Sequence, residues 1–186
     1  LVKCAIVAAV TKRSPLILNI NLKYDFLKED DDLEYFLFIA RERARRATVP
    51  VAINLDHGQN YAAVLRAIQH GFTSVMIDAS AEPYEENIRI VKEVVQTAHS
   101  IDVPVEAELG CVGMADPSFQ IETKYTQSTT TDPVLVADFV ERTGVDFLAV
   151  SIGNAHGPYA KNIQPHIEFE LLREIASTTP IPLVLH

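Results

Sequence analysis

The sequence has few of the features that mark disulfide-stabilised, nucleic-acid-binding or membrane-spanning proteins. Its 186 residues include only two cysteines, Cys4 and Cys111, without zinc-finger spacing and too few for a disulfide framework, so we expect a cytoplasmic location. The formal net charge is -9, and no run of Lys or Arg lies beside aromatic residues, so nucleic acid is not an expected partner. No apolar run is long enough to cross a bilayer, so we expect no membrane partner.

Glycine-rich nucleotide-binding motifs are also missing, because no Gly-x-Gly-x-x-Gly sequence follows a predicted strand. This absence disfavours a doubly wound open sheet, the main structural alternative for this chain. What the sequence does contain is a series of short apolar, β-branched runs, which predict buried strands. There are six of them, at residues 15–20, 51–55, 73–77, 103–108, 147–152 and 181–185.

Helical patterns separate these strands and predict helices at 33–46, 60–70, 85–100, 132–143 and 168–177. Near-continuous apolar strands with helices between them indicate parallel pairing, so we predict an α/β fold of the (β/α)8 TIM-barrel type. A complete barrel has eight strands and typically about 250 residues. We therefore expect a single domain over 1–186 that is truncated at both ends, with its first and last strands missing. Its unpaired strand edges are expected to favour aggregation.

Three of the six histidines each follow a predicted strand, namely His57, His156 and His186. Barrel active sites lie at the carboxyl ends of the strands, so these three imidazoles are expected to converge on one rim. Neutral imidazole is a common zinc ligand, and three protein ligands with an open fourth position are typical of catalytic zinc. The alternative for any one of them is a structural or surface role.

Acidic residues are predicted at the same rim. Asp56 precedes His57 and can either orient the metal ligands or transfer protons. Asp78 follows the predicted strand 73–77, and Glu108 ends the predicted strand 103–108. Their carboxylates suit a second divalent or monovalent cation. Helix capping or a loop salt bridge is an equal alternative for each. Glu106 shares a strand face with Glu108, so the strand pattern does not decide which of the two reaches the site.

Small residues surround two of the candidate positions. Glycines flank His156 in Gly153-Asn154-Ala155-His156-Gly157, which permits either a tight turn or a close approach of backbone to a ligand. Cys111 lies in a loop of small residues and is interpreted as a packed thiol, so we do not assign it to the metal.

Several blocks of sequence, in one order along the chain, resemble the class II ketose-bisphosphate aldolases, the family of fructose- and tagatose-bisphosphate aldolases. The blocks are Val49-Pro-Val-Ala-Ile-Asn-Leu-Asp-His-Gly58, Gly71-Phe-Thr-Ser-Val-Met-Ile-Asp-Ala-Ser80, Glu85-Glu-Asn87, Val105-Glu-Ala-Glu-Leu-Gly110, Gly144-Val-Asp-Phe-Leu-Ala-Val150, Ile152-Gly-Asn-Ala-His-Gly157 and Pro182-Leu-Val-Leu-His186.

The resemblance implies a zinc-dependent lyase of carbohydrate metabolism and glycolysis, which reversibly cleaves a fructose or tagatose 1,6-bisphosphate to dihydroxyacetone phosphate and glyceraldehyde 3-phosphate. It implies Zn²⁺ on the three strand-end histidines, Asp56 as the proton-transfer residue, and a second metal at Asp78 and Glu108 in some members. It also implies a backbone contact from Gly157 to the dihydroxyacetone phosphate moiety and a homo-oligomer, either dimer or tetramer.

A metal can act as Lewis acid, so no Schiff-base lysine is required, and no lysine lies in the six predicted strands.

Three departures from the family pattern accompany the resemblance. Gly113-Met114-Ala115-Asp116 stands where the family has two glycines followed by acidic residues, so Asp116 is the candidate for the proton-exchanging acid of that loop. Asn21 stands where Ser or Thr commonly helps to hold phosphate, and Ala79 replaces a glycine. The phosphate-binding loops that follow His186 in the family lie outside the chain.

Two alternatives to the aldolase remain open from the sequence. One is another metal-dependent barrel enzyme, such as a zinc hydrolase, although the His-x-His strand signature of such barrels is absent from the chain. The other is a catalytically degenerate aldolase-like barrel module within a larger polypeptide, which the departures in the loops would favour.

Overall fold

The structure is a computed structural model that describes residues 1–23, 27, 29–115, 128–159, 161 and 164–186. Within these ranges, six α-helices alternate with six β-strands. The chain divides into two compact units, one formed by Leu1–Ile77 with Ala98–Pro104 and the other by Asp78–Thr97 with Val105–His186. The prediction of a single domain over 1–186 stays a prediction.

The first unit consists of parallel strands with a helix before each one. Its elements are α1 (Val2–Lys12), β1 (Leu16–Ile20), α2 (Asp30–Arg45), β2 (Val51–Gly58), α3 (Tyr61–Gln69) and β3 (Ser74–Ile77). Strand β2 pairs in parallel with β1 on one side and with β3 on the other. The apolar stripe of α2 supplies the centre of the core with three side chains of 0% exposure, Leu33, Leu37 and Ala40.

The second unit repeats the pattern with α4 (Tyr84–His99, in this unit up to Thr97), β4 (Val105–Leu109), α5 (Pro133–Thr143), β5 (Phe147–Val150), α6 (Phe169–Thr178) and β6 (Leu183–Val184). Strand β5 pairs in parallel with β4 and with β6. All five residues of β4 are buried, as expected for a strand that is covered on both faces. Phe139 of α5 is the largest fully buried side chain of this core.

Helix boundaries follow local capping chemistry. The side chain of Asn60 accepts a hydrogen bond from the Ala63 amide at 2.9 Å at the start of α3, and Asp132 caps α5 through the Val134 amide at 3.0 Å. Gly144 ends α5 with a φ of 75°, a left-handed conformation that glycine adopts without strain. Helix α2 begins at Asp30, earlier than predicted, because acidic residues in a first turn stabilise the positive end of the helix dipole.

Prolines delay the start of two strands relative to the prediction. Strand β4 begins at Val105 rather than at 103, and β6 begins at Leu183 rather than at 181, because Pro104 and Pro182 have no N–H to donate to a sheet. Their carbonyls still accept hydrogen bonds from Val75 and Leu148, each at 3.1 Å.

The described part of the chain therefore has the predicted order of parallel strands and intervening helices. None of the helices in this part is both long and apolar enough to cross a bilayer. Because the strands within each unit run in the same direction, their carboxyl ends lie at one edge, and the predicted site residues follow these ends.

Candidate metal centre and active site

The carboxyl end of β2 carries His57 in an unusual backbone conformation. The pairing register between β2 and β3 shifts between Leu55 and Gly58, and His57 has a φ of 48°. A non-glycine residue with positive φ is uncommon, and β-bulges next to active sites reorient side chains. Such strain is concentrated at functional sites, so this backbone conformation supports a functional role for His57.

Gly58 allows this irregular segment to lie against the neighbouring strand. A Cβ atom at position 58 would lie 2.4 Å from the carbonyl oxygen of Met76 in β3. No side chain fits at that distance, so only glycine permits β2 to continue beside β3 directly after His57.

Asp56 contacts the end of strand β1. The Asn21 amide nitrogen donates to Asp56 Oδ2 over a long distance of 3.4 Å, and the Lys23 backbone amide donates to Asn21 Oδ1 at 3.0 Å. The second bond orients the Asn21 amide so that its nitrogen faces the carboxylate. Asp56 Oδ1 lies 3.9 Å from His57 Nε2, which is too long for a hydrogen bond.

In the second unit, the loops after β4 and β5 bring His156 close to His186. The His156 backbone amide donates to Gly113 O, and the Ala115 amide donates to His156 O, both at 2.8 Å. The rings of His156 and His186 have centroids 6.1 Å apart and are nearly perpendicular, at 77°. Two of the three predicted zinc ligands are thus neighbours within one unit.

His186 is held at its ring and at its backbone. Its Nε2 lies 2.7 Å from Glu106 Oε1, and the exposures of the two side chains are only 5% and 8%. The Asn154 side-chain amide donates to the His186 carbonyl at 2.7 Å. Of the two acids on this strand face, Glu106 bonds to His186, and which of them serves a metal stays a prediction.

Glu108 and Asp78 are buried carboxylates of the same unit. Glu108 Oε1 accepts a hydrogen bond from the Val112 amide at 2.9 Å, and Asp78 Oδ1 accepts one from the Ser80 hydroxyl at 2.8 Å. Their exposures are 1% and 5%. Burying a carboxylate is costly unless hydrogen bonds or a cation compensate for the lost water. Both residues therefore suit cation binding.

The other three histidines differ in their surroundings. The His70 ring nitrogens are 3.2 Å from Asp30 and 3.3 Å from Glu34, in a surface network of α2 and α3. His99 ends α4, and His166 is an exposed loop residue. Hydrogen bonding to His70 is the main cause that holds the pKa of Glu34 below its usual range. These contacts account for His70 without a metal.

Three further residues named from the sequence are Cys111, Gly157 and Asp116. Cys111 is buried and free, and burial raises the pKa of its thiol, so it is a poor candidate for a thiolate ligand. Gly157 has a φ of 79°, and a Cβ there would approach Met114 Cε to 3.2 Å. Asp116, the candidate loop acid, lies outside the described residues.

The donor set fits zinc. Imidazole nitrogens and carboxylate oxygens are ligands that Zn²⁺ accepts, and buried carboxylates also suit harder cations. Described side chains with a suitable donor atom occur in both units: Asp56 and His57 in the first, and Asp78, Glu108 and His186 in the second.

Parallel β/α units with imidazole and carboxylate groups at the strand ends define a barrel protein with candidate metal ligands. The family model of class-II fructose-bisphosphate aldolase matches residues 1–186, and the chain belongs to that family. The predicted fold class, a partial (β/α)8 barrel, is thereby confirmed.

Named relatives support this assignment. The chain is 47% identical to fructose-bisphosphate aldolase of Thermus caldophilus over 143 residues, which are 77% of this chain and 46% of that protein. It is 43% identical to the D-tagatose-1,6-bisphosphate aldolase subunit GatY of Klebsiella oxytoca over 148 residues, 80% of this chain and 51% of that subunit.

The crystal structure of the YdjI aldolase from Escherichia coli K12 matches the whole chain, with a TM-score of 0.81 and 39% identity, and the match covers 62% of that protein. The chain thus spans between 46% and 62% of the length of these relatives.

Proposed function

We propose that the protein is a zinc-dependent aldolase, an aldehyde-lyase that reversibly cleaves fructose or tagatose 1,6-bisphosphate to dihydroxyacetone phosphate and glyceraldehyde 3-phosphate. The observation that carries the proposal is the family match over residues 1–186. The relatives include one protein named for fructose bisphosphate and one named for tagatose bisphosphate, so both sugars are substrates to be tested.

His57, His156 and His186 are the proposed zinc ligands. The neighbouring rings of His156 and His186 support this assignment, as does the left-handed backbone at His57. Bound zinc would supply a Lewis acid that withdraws electron density from the ketone of the substrate.

Asp56 is the proposed proton-transfer residue. In the cleavage direction its carboxylate takes the proton of the hydroxyl next to the bond that breaks. The bond next to that hydroxyl then breaks, the aldehyde product leaves, and the electron pair stays with the ketone half, which gains a proton at that carbon to become dihydroxyacetone phosphate. Asn21 limits the rotation of the carboxylate through its contact with Oδ2, and a proton acceptor must be held within hydrogen-bonding reach of the group that it serves.

Asp78 and Glu108 are proposed to hold a second, divalent or monovalent cation, and their burial beside hydrogen-bond donors supports this role. Gly157 is proposed to contact the dihydroxyacetone phosphate moiety through its backbone. Its positive φ and missing side chain support a close approach there.

Removal of metal is the experiment that tests the proposed reaction. We expect the full-length protein to cleave one of the two bisphosphates in a coupled assay for dihydroxyacetone phosphate. Dialysis against a chelator should abolish the activity, and added Zn²⁺ should restore it. Activity that is indifferent to the chelator would contradict the zinc mechanism. Stoichiometric zinc without cleavage of either sugar would favour a different metal-dependent barrel enzyme, and no zinc with no activity would favour a degenerate module.

We also propose that the protein acts in the cytoplasm, in carbohydrate metabolism including glycolysis, and forms a homo-oligomer, either dimer or tetramer. Aldolase family membership and the two cysteines, neither of which forms a disulfide among the described residues, support this setting. Light scattering coupled to size-exclusion chromatography is expected to give a mass of two or four subunits, and a monomer would contradict the proposal.

A further inference from the structure

We propose that Glu106 is a positioning residue that selects the ring nitrogen with which His186 binds the metal. The inference rests on the proposed zinc site and adds a residue to it. Its basis is the 2.7 Å contact between His186 Nε2 and Glu106 Oε1, formed by two side chains that are almost fully buried.

The chemistry of imidazole determines which of the two groups donates the hydrogen bond. A neutral histidine carries one N–H, and the other ring nitrogen has the lone pair that binds a metal. An ionised carboxylate only accepts hydrogen bonds, so Glu106 favours the tautomer with the proton on Nε2. Nδ1 would then supply the lone pair to a bound ion. A carboxylate that orients a metal-binding histidine in this way also raises the basicity of the ligand.

The surrounding structure leaves the ring little freedom. Glu106 lies in β4, where its backbone is paired with Phe147 of β5, so the carboxylate extends from a paired strand rather than from a loop. Asn154 is fixed by accepting a hydrogen bond from the Ile152 amide at 2.9 Å, and it donates to the His186 carbonyl. The ring of His186 is therefore held from strand β4, and its backbone is held from the loop after β5.

This role differs from that of the second acid in the same strand. Glu108 accepts a hydrogen bond from the Val112 amide, and its backbone carbonyl accepts one from the Asn87 side chain at 3.0 Å. We assign Glu106 to the orientation of a ligand and Glu108 to the proposed second cation. The two carboxylates thus have separate functions despite their spacing of two residues.

The test measures zinc affinity and the tautomer of His186 in the full-length protein. By competition with a chromophoric chelator, Glu106→Ala is expected to bind zinc about 10- to 100-fold more weakly, the range found when such outer-shell partners are removed. Glu106→Gln, which can still accept a hydrogen bond, is expected to lose less. Glu141→Gln is the matched control, because Glu141 is an exposed residue of α5 and its replacement should leave the affinity unchanged.

A spectroscopic measurement separates positioning from a general structural role. The ¹⁵N shifts of the His186 ring in the zinc-free wild-type protein are expected to show the proton on Nε2, and Glu106→Ala should shift the population towards Nδ1–H. A wild-type ring protonated on Nδ1 would overturn the inference even if Glu106→Ala fails to fold. Unchanged zinc affinity in a folded Glu106→Ala protein would also overturn it. A wild-type protein that binds no zinc would instead contradict the proposed function.

Discussion

Replacing His57 with alanine is expected to leave the purified protein with less than stoichiometric zinc and to lower kcat/KM by on the order of 10³-fold, the scale of losing a group that stabilises developing charge. Alanine removes one of three proposed ligands but keeps a Cβ atom, so it leaves the strain of the positive φ of 48° in place. The loss should therefore appear in metal content and in activity together. Metal analysis and the coupled cleavage assay measure the two effects.

His166→Ala is the matched control for this prediction. His166 is also a histidine in a loop of the chain, but it is exposed, and we expect its replacement to leave zinc content and kcat/KM at wild-type values. If His57→Ala retains stoichiometric zinc and full activity, His57 is not a ligand. Its strained backbone would then need a different explanation.

Replacing Asp56 with asparagine is expected to lower kcat by about 10²- to 10⁴-fold, the usual contribution of a general acid or base, while the zinc content stays near one per chain. Asparagine has the same shape and can still accept the hydrogen bond from Asn21. The ability to take a proton and the negative charge are removed, while the shape is kept. Steady-state kinetics together with metal analysis check both parts of the prediction.

The same experiment decides between the two roles that the sequence left open for Asp56. Loss of zinc in Asp56→Asn would indicate that the carboxylate orients the ligands and would contradict the proton-transfer assignment. Unchanged kcat would exclude both roles. Glu141→Asn serves as control for a general effect of removing one negative charge, because Glu141 lies on the exposed face of α5.

The order and type of the elements were predictable from the sequence because they depend on local patterns. Short apolar runs, helix-capping residues such as Asn60 and Asp132, and the glycine after α5 act within a few residues of their own position. Each predicted strand and helix has a counterpart in the described structure. Boundaries were less accurate, since Pro104 and Pro182 shorten two strands by removing a hydrogen-bond donor.

The candidate site was predictable at the level of which residues follow the strands. Parallel strands expose their carboxyl ends at one edge, so polar residues directly after apolar runs were the expected candidates. The aldolase family, first indicated by the order of motif blocks, is confirmed by the match over the whole chain. The zinc, the catalytic role of Asp56 and the substrate remain proposals.

Residue type and spacing alone thus specified the β/α order and the short set of histidines and carboxylates near the strand ends, and the resemblance of ordered motif blocks indicated the family. Tertiary structure decided how individual members of that set are held. It placed His57 at a register shift with left-handed backbone, and it bonded Glu106 to His186. Both outcomes depend on contacts between residues far apart in sequence, and the two-residue period that puts Glu106 and Glu108 on one face carries no information about those contacts.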